Sequence, residues 1–227
     1  MYRIYSSLLL LMLCCCAMAA QTAVPSVQAN GSATIATNPD QAQLDVGVVT
    51  NGATAQDASQ QNANLSNTVQ AALRKVLGST GTLQTVSYYV TPRYSNSPNQ
   101  PSVIVGYTAS NTVRVTTTNL SQIGLLIDAA NQAGANSVGG LSFGLQNPEP
   151  YVEQALTQAT KQATAHAVAI AAGLGGKLGA VLSAQEGSSY VPIVVGTAGG
   201  GAAVTTPVQT GVVTVYATVT IQIALAY

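Results

Sequence analysis

The sequence predicts an α+β fold in which antiparallel sheets are backed by two long helices and one shorter helix. Two observations carry this. Segments rich in β-branched residues, with loose alternation, come in adjacent pairs separated by Asn/Pro turn signals. Three other segments repeat apolar residues at helical spacing. The resulting order is ββαββ followed by αβαββ, a loose pseudo-repeat along one chain.

Each element has a local reason. "SVQANGSATIA" (26–36) and "AQLDVGVVT" (42–50) read as strands, and the intervening "TNPD" as a turn. Thr54 with Asp57 three residues later resembles a capping box, opening a helix with Leu65, Val69, Leu73, Val76 and Leu77 on one face. Gly78 suits its end. "LQTVSYYVTPRY" (83–94) and "SVIVGYTASNTVRVTTT" (102–118) then form a hairpin around "SNSPNQP".

In the second half Asn119 is placed to cap a shorter helix carrying Ile123, Leu126, Ile127 and Ala130, with Gly134 as its stop. "SVGGLSFGL" (137–145) is a glycine-softened strand. Asn147 and Pro148 open a long helix running to about Leu174. Its expected inner stripe is Val152, Ala155, Ala159, Ala163, Ala167, Ile170 and Leu174, small enough for close approach to a sheet. "KLGAVLSAQEG" (177–187) and "GVVTVYATVTIQIALAY" (211–227) are the last strands. Between them lies a long Gly/Ala-centred connection, of a length that compact domains rarely carry without a use.

Ahead of these elements, residues 1–20 have the pattern of a secretory signal peptide: Arg3, an apolar run from Leu8 to Cys16, and small residues at Ala17–Ala19. Residues 21–25 read as a tether, and 26–227 as one domain. All three cysteines and all three methionines fall within the segment to be removed. The exported chain would then have no thiol nucleophile, disulfide or Cys-ligated metal. Removing Arg3 from the seven basic residues leaves six against seven acidic ones. With charged residues at 6% and no basic cluster, nucleic acid is not an expected partner. Two long helices among the strands argue against a membrane-spanning barrel.

Several of these stretches resemble the SIMPL-domain family of bacterial envelope proteins. "NPDQAQLDVGV" is similar to its opening Pro-Asp and strand, and "GYTASNTVRVTTTNLSQIGLLIDAANQAGANSVGGLSF" to its central block. "ALTQATKQATAHAVAIAAGLGGKLGAVLSAQEG" resembles its spaced-alanine helix, and "TGVVTVYATVTIQIAL" its last strand. The likeness spans roughly residues 25–227. Asn38 departs from it, standing where many members have a basic residue. The resemblance implies a periplasmic or outer-membrane-associated α+β protein, in some members a ring-like homo-oligomer, linked loosely to oxidative-stress tolerance. It offers no catalytic residue to carry over.

The candidate chemistry is sparse. Asp40, after Pro39, is expected to hold a turn through nearby amides. Asp45 alternates away from Leu44 and Val46 toward solvent, with no His, Lys or Arg within twenty residues to tune it. His166 is the sole histidine and is expected on the packed face of its helix, beside Ala159, Ala163 and Ile170. Zinc would need more ligands than one His supplies. Composition permits a Ser/His/Asp triad, but no Gly-x-Ser-x-Gly elbow is expected. "GTAGGGAA" (196–203) lacks the Lys-Ser/Thr of a phosphate loop.

No catalytic residue, metal site or cofactor is therefore expected. The apolar run Tyr190, Val191, Pro192, Ile193, Val194 and Val195 is a candidate oligomer interface. Tyr88, Tyr89, Tyr94 and Tyr107 are candidate ligand or interface tyrosines. The expected function is a self-assembling, non-enzymatic envelope protein, with peripheral outer-membrane association. The alternative is a periplasmic small-molecule binder.

Overall fold

The computed structural model describes residues 24–95, 101–187, 194–195 and 206–227. The expected signal peptide, the first part of the tether, the middle of the hairpin loop and most of the long connection lie outside them. The elements are β1 (Ser26–Thr37), β2 (Gln41–Gly52), α1 (Ala55–Leu77), β3 (Gly81–Tyr94) and β4 (Ile104–Thr117). Then come a 3-10 turn (Leu120–Gln122), α2 (Ile123–Gln132), β5 (Ser137–Gly144), α3 (Glu149–Gly173), β6 (Lys177–Glu186), β7 (Val194–Val195) and β8 (Val213–Ala226). The fold is α+β, as expected.

The strands form two antiparallel sheets, ordered β1-β8-β6 and β3-β4-β2-β5-β7. The repeat in sequence order is therefore not a repeat in space. β1, from the start of the chain, pairs over its whole length with β8 at the end, from Ser26↔Ala224 to Thr37↔Val213. Pro25, expected in the tether, already accepts a bond from the Leu225 amide. The "TNPD" turn is where the chain leaves one sheet for the other.

The five-stranded sheet packs α1 and α2 on one face. Leu44, Val46 and Val48 of β2 and Val113 and Val115 of β4 meet Val69, Leu73 and Leu77 of α1 and Ile123, Leu126 and Ile127 of α2. Phe143 of β5 is fully buried in the same core. The Thr54 cap forms as predicted: its hydroxyl oxygen accepts from the Asp57 amide at 3.1 Å. The α1 stripe contains two residues that composition hides. Asn62 and Ser66 are buried. Asn62 Nδ2 donates to the carbonyls of Val48 and Ala109, at 2.8 and 3.0 Å, joining β2 to β4, while its Oδ1 accepts from Ser66. Each polar group of the amide thus has a partner, the condition under which it can be buried.

The three-stranded sheet packs α3. The buried residues of this helix are Ala155, Ala159, Ala163, Ala167 and Ala171, five alanines at strict four-residue spacing. Such a row is inclined by roughly 26° to the helix axis, and it runs against Val27 and Ala29 of β1 and Val219, Ile221 and Ile223 of β8. The expected stripe was right in its alanines and wrong at its end. A 3.6-residue period favours Ile170 and Leu174, but the row keeps stepping by four to Ala171 and leaves both exposed. Gly31 of β1 shows how near the helix lies: a Cβ there would sit 1.9 Å from the Ala159 carbonyl oxygen.

Two further expectations need adjusting. Asn119 makes no side-chain cap to a helix; its Oδ1 accepts from Ser121 within the 3-10 turn, and α2 begins only at Ile123. At α3 the start moves one residue, because Asn147 Oδ1 accepts from the Glu149 amide while Pro148 takes the cap position.

Candidate functional site

The carboxylates come first. Asp45 does alternate away from the core, yet it is not a free solvent-facing acid. Register places it opposite Arg114 of β4, and the guanidinium grips it with two bonds, Nε to Oδ1 at 2.7 Å and Nη2 to Oδ2 at 2.8 Å. The hydrogen bond to Asp45, and then its charge, raise the Arg114 pKa above the ordinary arginine value. Folding supplies a cation from 69 residues away where the sequence neighbourhood had none. Gly140 of β5, at φ +61°, lies against this carboxylate, where a Cβ would come within 3.0 Å of Oδ2.

Asp40 pins the turn, but not through a nearby amide. Its Oδ1 accepts from the amide of Gln146 at 2.6 Å, and its own amide donates to Gly144. The corner between the sheets is thereby fastened to the end of β5. Asp128 of α2 fastens another segment: Thr206 reaches it through its hydroxyl at 2.7 Å and its amide at 3.3 Å.

His166 is not on the packed face. It is exposed on the flank of α3, with Nδ1 2.9 Å from the carbonyl oxygen of Asn30. One helical turn earlier, Gln162 Oε1 accepts from the Ser32 amide at 2.7 Å. Both groups sit on the outer edge of β1, so this flank of α3 covers main-chain atoms that no neighbouring strand pairs.

Contrary to the expectation that no such pattern occurs, Gly140-Leu141-Ser142-Phe143-Gly144 spells Gly-x-Ser-x-Gly. A nucleophile elbow requires that serine at a sharp strand-to-helix turn. Here Ser142 is within β5, paired with Gln43 on one side and Val195 on the other. His166 packs along β1 in the other sheet. The spelling is present without the geometry.

The four tyrosines do not form one cluster. Tyr88 pairs with Asn111 and Tyr107 with Gly52, which places both on the side of the sheet that carries α1. Tyr89 pairs with Ser110 and faces the opposite side, and Tyr94 lies at the far end of β3. Tyr88 and Tyr89 are 54% and 52% exposed, so the distal hairpin shows apolar surface on both faces. Val86, Val103, Ile104 and Val105 add to it. β6 is similar, with Val181 65% and Leu182 45% exposed on neighbouring positions.

Of the candidate interface run, Tyr190, Val191, Pro192 and Ile193 lie outside the described residues, as does 196–203. Val194 and Val195 form β7 and pair with Phe143 and Ser142 at the edge of the five-stranded sheet. The long connection thus leaves β6 in one sheet, touches the other at β7 and at Asp128, and returns to β8. A cleft of about 270 Å³ lies beside this path, lined by Leu120, Ser121, Gly124, Leu125, Thr206 and Val208. None of the four tyrosines lines it. Among the described residues no helix is long and apolar enough to cross a membrane.

One similar protein is the "Uncharacterized protein YggE" of Edwardsiella ictaluri (strain 93-146), 30% identical over 135 residues. That match covers 58% of this chain and 55% of the relative, so the chain spans about half the length of the curated relative it matches. The model of the SIMPL family, described as "Protein of unknown function (DUF541)", matches residues 27–223, from β1 through most of β8. The chain therefore belongs to the SIMPL family.

Proposed function

We propose that this protein is an exported, non-enzymatic component of the bacterial envelope that assembles with copies of itself, in a structural or stress-protective role. The observation that carries the assembly is the apolar surface of the distal β3–β4 hairpin and of β6, open on both faces of each strand. A monomer that ended there would keep valine, isoleucine and tyrosine side chains in water at and beside the sheet-edge strands β3 and β6, a known route to association. Export is supported by the signal-peptide pattern of residues 1–20. The non-enzymatic reading is supported by the engagement of Asp40, Asp45 and His166 in contacts that hold the fold.

Size-exclusion chromatography with light scattering tests the assembly: a mass several times that of one chain at micromolar concentration is expected, and a strict monomer removes the proposal. The stress-protective part rests on family resemblance, and survival of a deletion strain after peroxide challenge tests it. A small-molecule binder has less support, because the cleft beside Thr206 and the tyrosines are separate features.

A further inference from the structure

Among the described residues the two sheets end in four edge strands, β1 and β6 in one, β3 and β7 in the other. They are not equivalent. β7 is two residues long. β1 is covered by α3, whose Gln162 and His166 take up the outward amide of Ser32 and the outward carbonyl of Asn30. That leaves β3, of 14 residues, and β6, of 10.

Natural sheets protect such edges with lysine, proline, inward charge or bulges. β3 carries no charged residue from Gly81 to Thr91, and β6 none from Leu178 to Gln185. Each has a bulged portion beside its sheet partner, and β3 carries Pro92 and Arg93 near its end, yet each keeps a regular run without charge or proline, Ser87–Thr91 in β3 and Ser183–Gln185 in β6. Both also present apolar side chains on both faces, which a newly added strand needs if it is to be packed above and below.

We propose that the β3 edge of one copy pairs with the β6 edge of a second copy, joining the five-stranded sheet of one to the three-stranded sheet of the next. This rests on the self-assembly proposed above and names its contact. A single type of junction occupies both open edges of every subunit, whereas pairing β3 with β3 leaves every β6 open. Such a head-to-tail junction either closes into a ring or extends as a filament. The surface is of adequate size. Three half-exposed tyrosines alone, at roughly 200 Å² each when fully buried, hold about 300 Å² of the roughly 800 Å² per partner that a stable complex covers. Val86, Val103, Ile104, Val105 and the strand backbone add the rest.

The test uses two double variants, Tyr88→Lys with Tyr89→Lys on β3, and Ser183→Lys with Ala184→Lys on β6. Far-UV circular dichroism and the thermal midpoint establish that each is folded. Light scattering should report a monomer for each variant alone and a dimer for their equimolar mixture, since one intact β3 then meets one intact β6. A β6 variant that remains a dimer alone shows β3–β3 pairing, and a β3 variant that remains a dimer alone shows β6–β6 pairing; either overturns the proposal. So does a mixture that stays monomeric, or an unchanged wild-type mass in either variant. A monomeric wild-type protein instead defeats the self-assembly reading itself.

Discussion

The two halves of this protein solve one packing problem in opposite ways. α1 and α3 are of similar length, 23 and 25 residues, and each lies on an antiparallel sheet. α1 stands off on Val69, Leu73 and Leu77 and spans the sheet with Asn62. α3 buries only alanines fully, with Gly31 beneath them and Leu156 packed at their side. The first interface is filled by side chains, and the second by the closeness of two backbones. Removing atoms should therefore harm the α1 half most, and adding atoms the α3 half.

Gly31→Val puts the sharpest question to that contrast. The atoms its side chain meets are backbone, the Ala159 carbonyl at 1.9 Å and the Ala163 amide nitrogen at 2.6 Å from the added Cβ, so no flexible side chain can yield. The helix must lift from the sheet. A loss above about 4 kcal/mol is expected in urea unfolding, the range reserved for such gross conflicts, and a loss under about 1 kcal/mol would mean that α3 floats.

Leu73→Ala makes the reciprocal change in the α1 half. Leu73 is fully buried among Val and Ile side chains, so truncation leaves a cavity. A loss of about 3 kcal/mol is expected by the same measurement, within the usual span for a core leucine. If Gly31→Val proves milder than Leu73→Ala, the contrast between the halves is wrong. Asn62→Ala sharpens it further, because it strips the α1 half of a buried polar anchor to two strands. The loss should be about 2 kcal/mol, since two buried carbonyls lose their donor.

How far the fold is legible in the sequence depends on the range of the interactions. Strands, helices and the Thr54 cap depend on neighbours within a few residues, and they were readable. The alanine row was readable too, though its last member was not: the helical period predicts Ile170, whereas Ala171 is the residue that packs in the core with β1 and β8. The burial of Asn62 has no local sign in the sequence, because its partners, Val48 and Ala109, come from two separate strands. Asp45 looked unpaired because Arg114 becomes its neighbour only through the β2–β4 register. For the same reason Gly140–Gly144 spelled a catalytic motif without becoming one. Five residues can match a pattern, but its chemistry needs a sharp turn into a helix, and Ser142 instead continues a paired strand.

The smallest expected effect concerns the flank of α3 rather than its packed face. Gln162→Ala removes an acceptor from the exposed Ser32 amide and touches no core residue, so global stability should fall by less than about 1 kcal/mol. The local effect should be larger than the global one. Freed of its acceptor, the Ser32 amide should exchange with solvent several-fold faster, while the amides of β1 that face β8 keep their protection. Uniform acceleration along β1 would show that α3 holds the strand as a whole and does not cover its edge. Acceleration confined to Ser32 would show why the two sheets differ at their margins. A helix lying this close to its sheet brings Gln162 and His166 within reach of the outermost strand, and among the described residues no such flank covers the edge of β3.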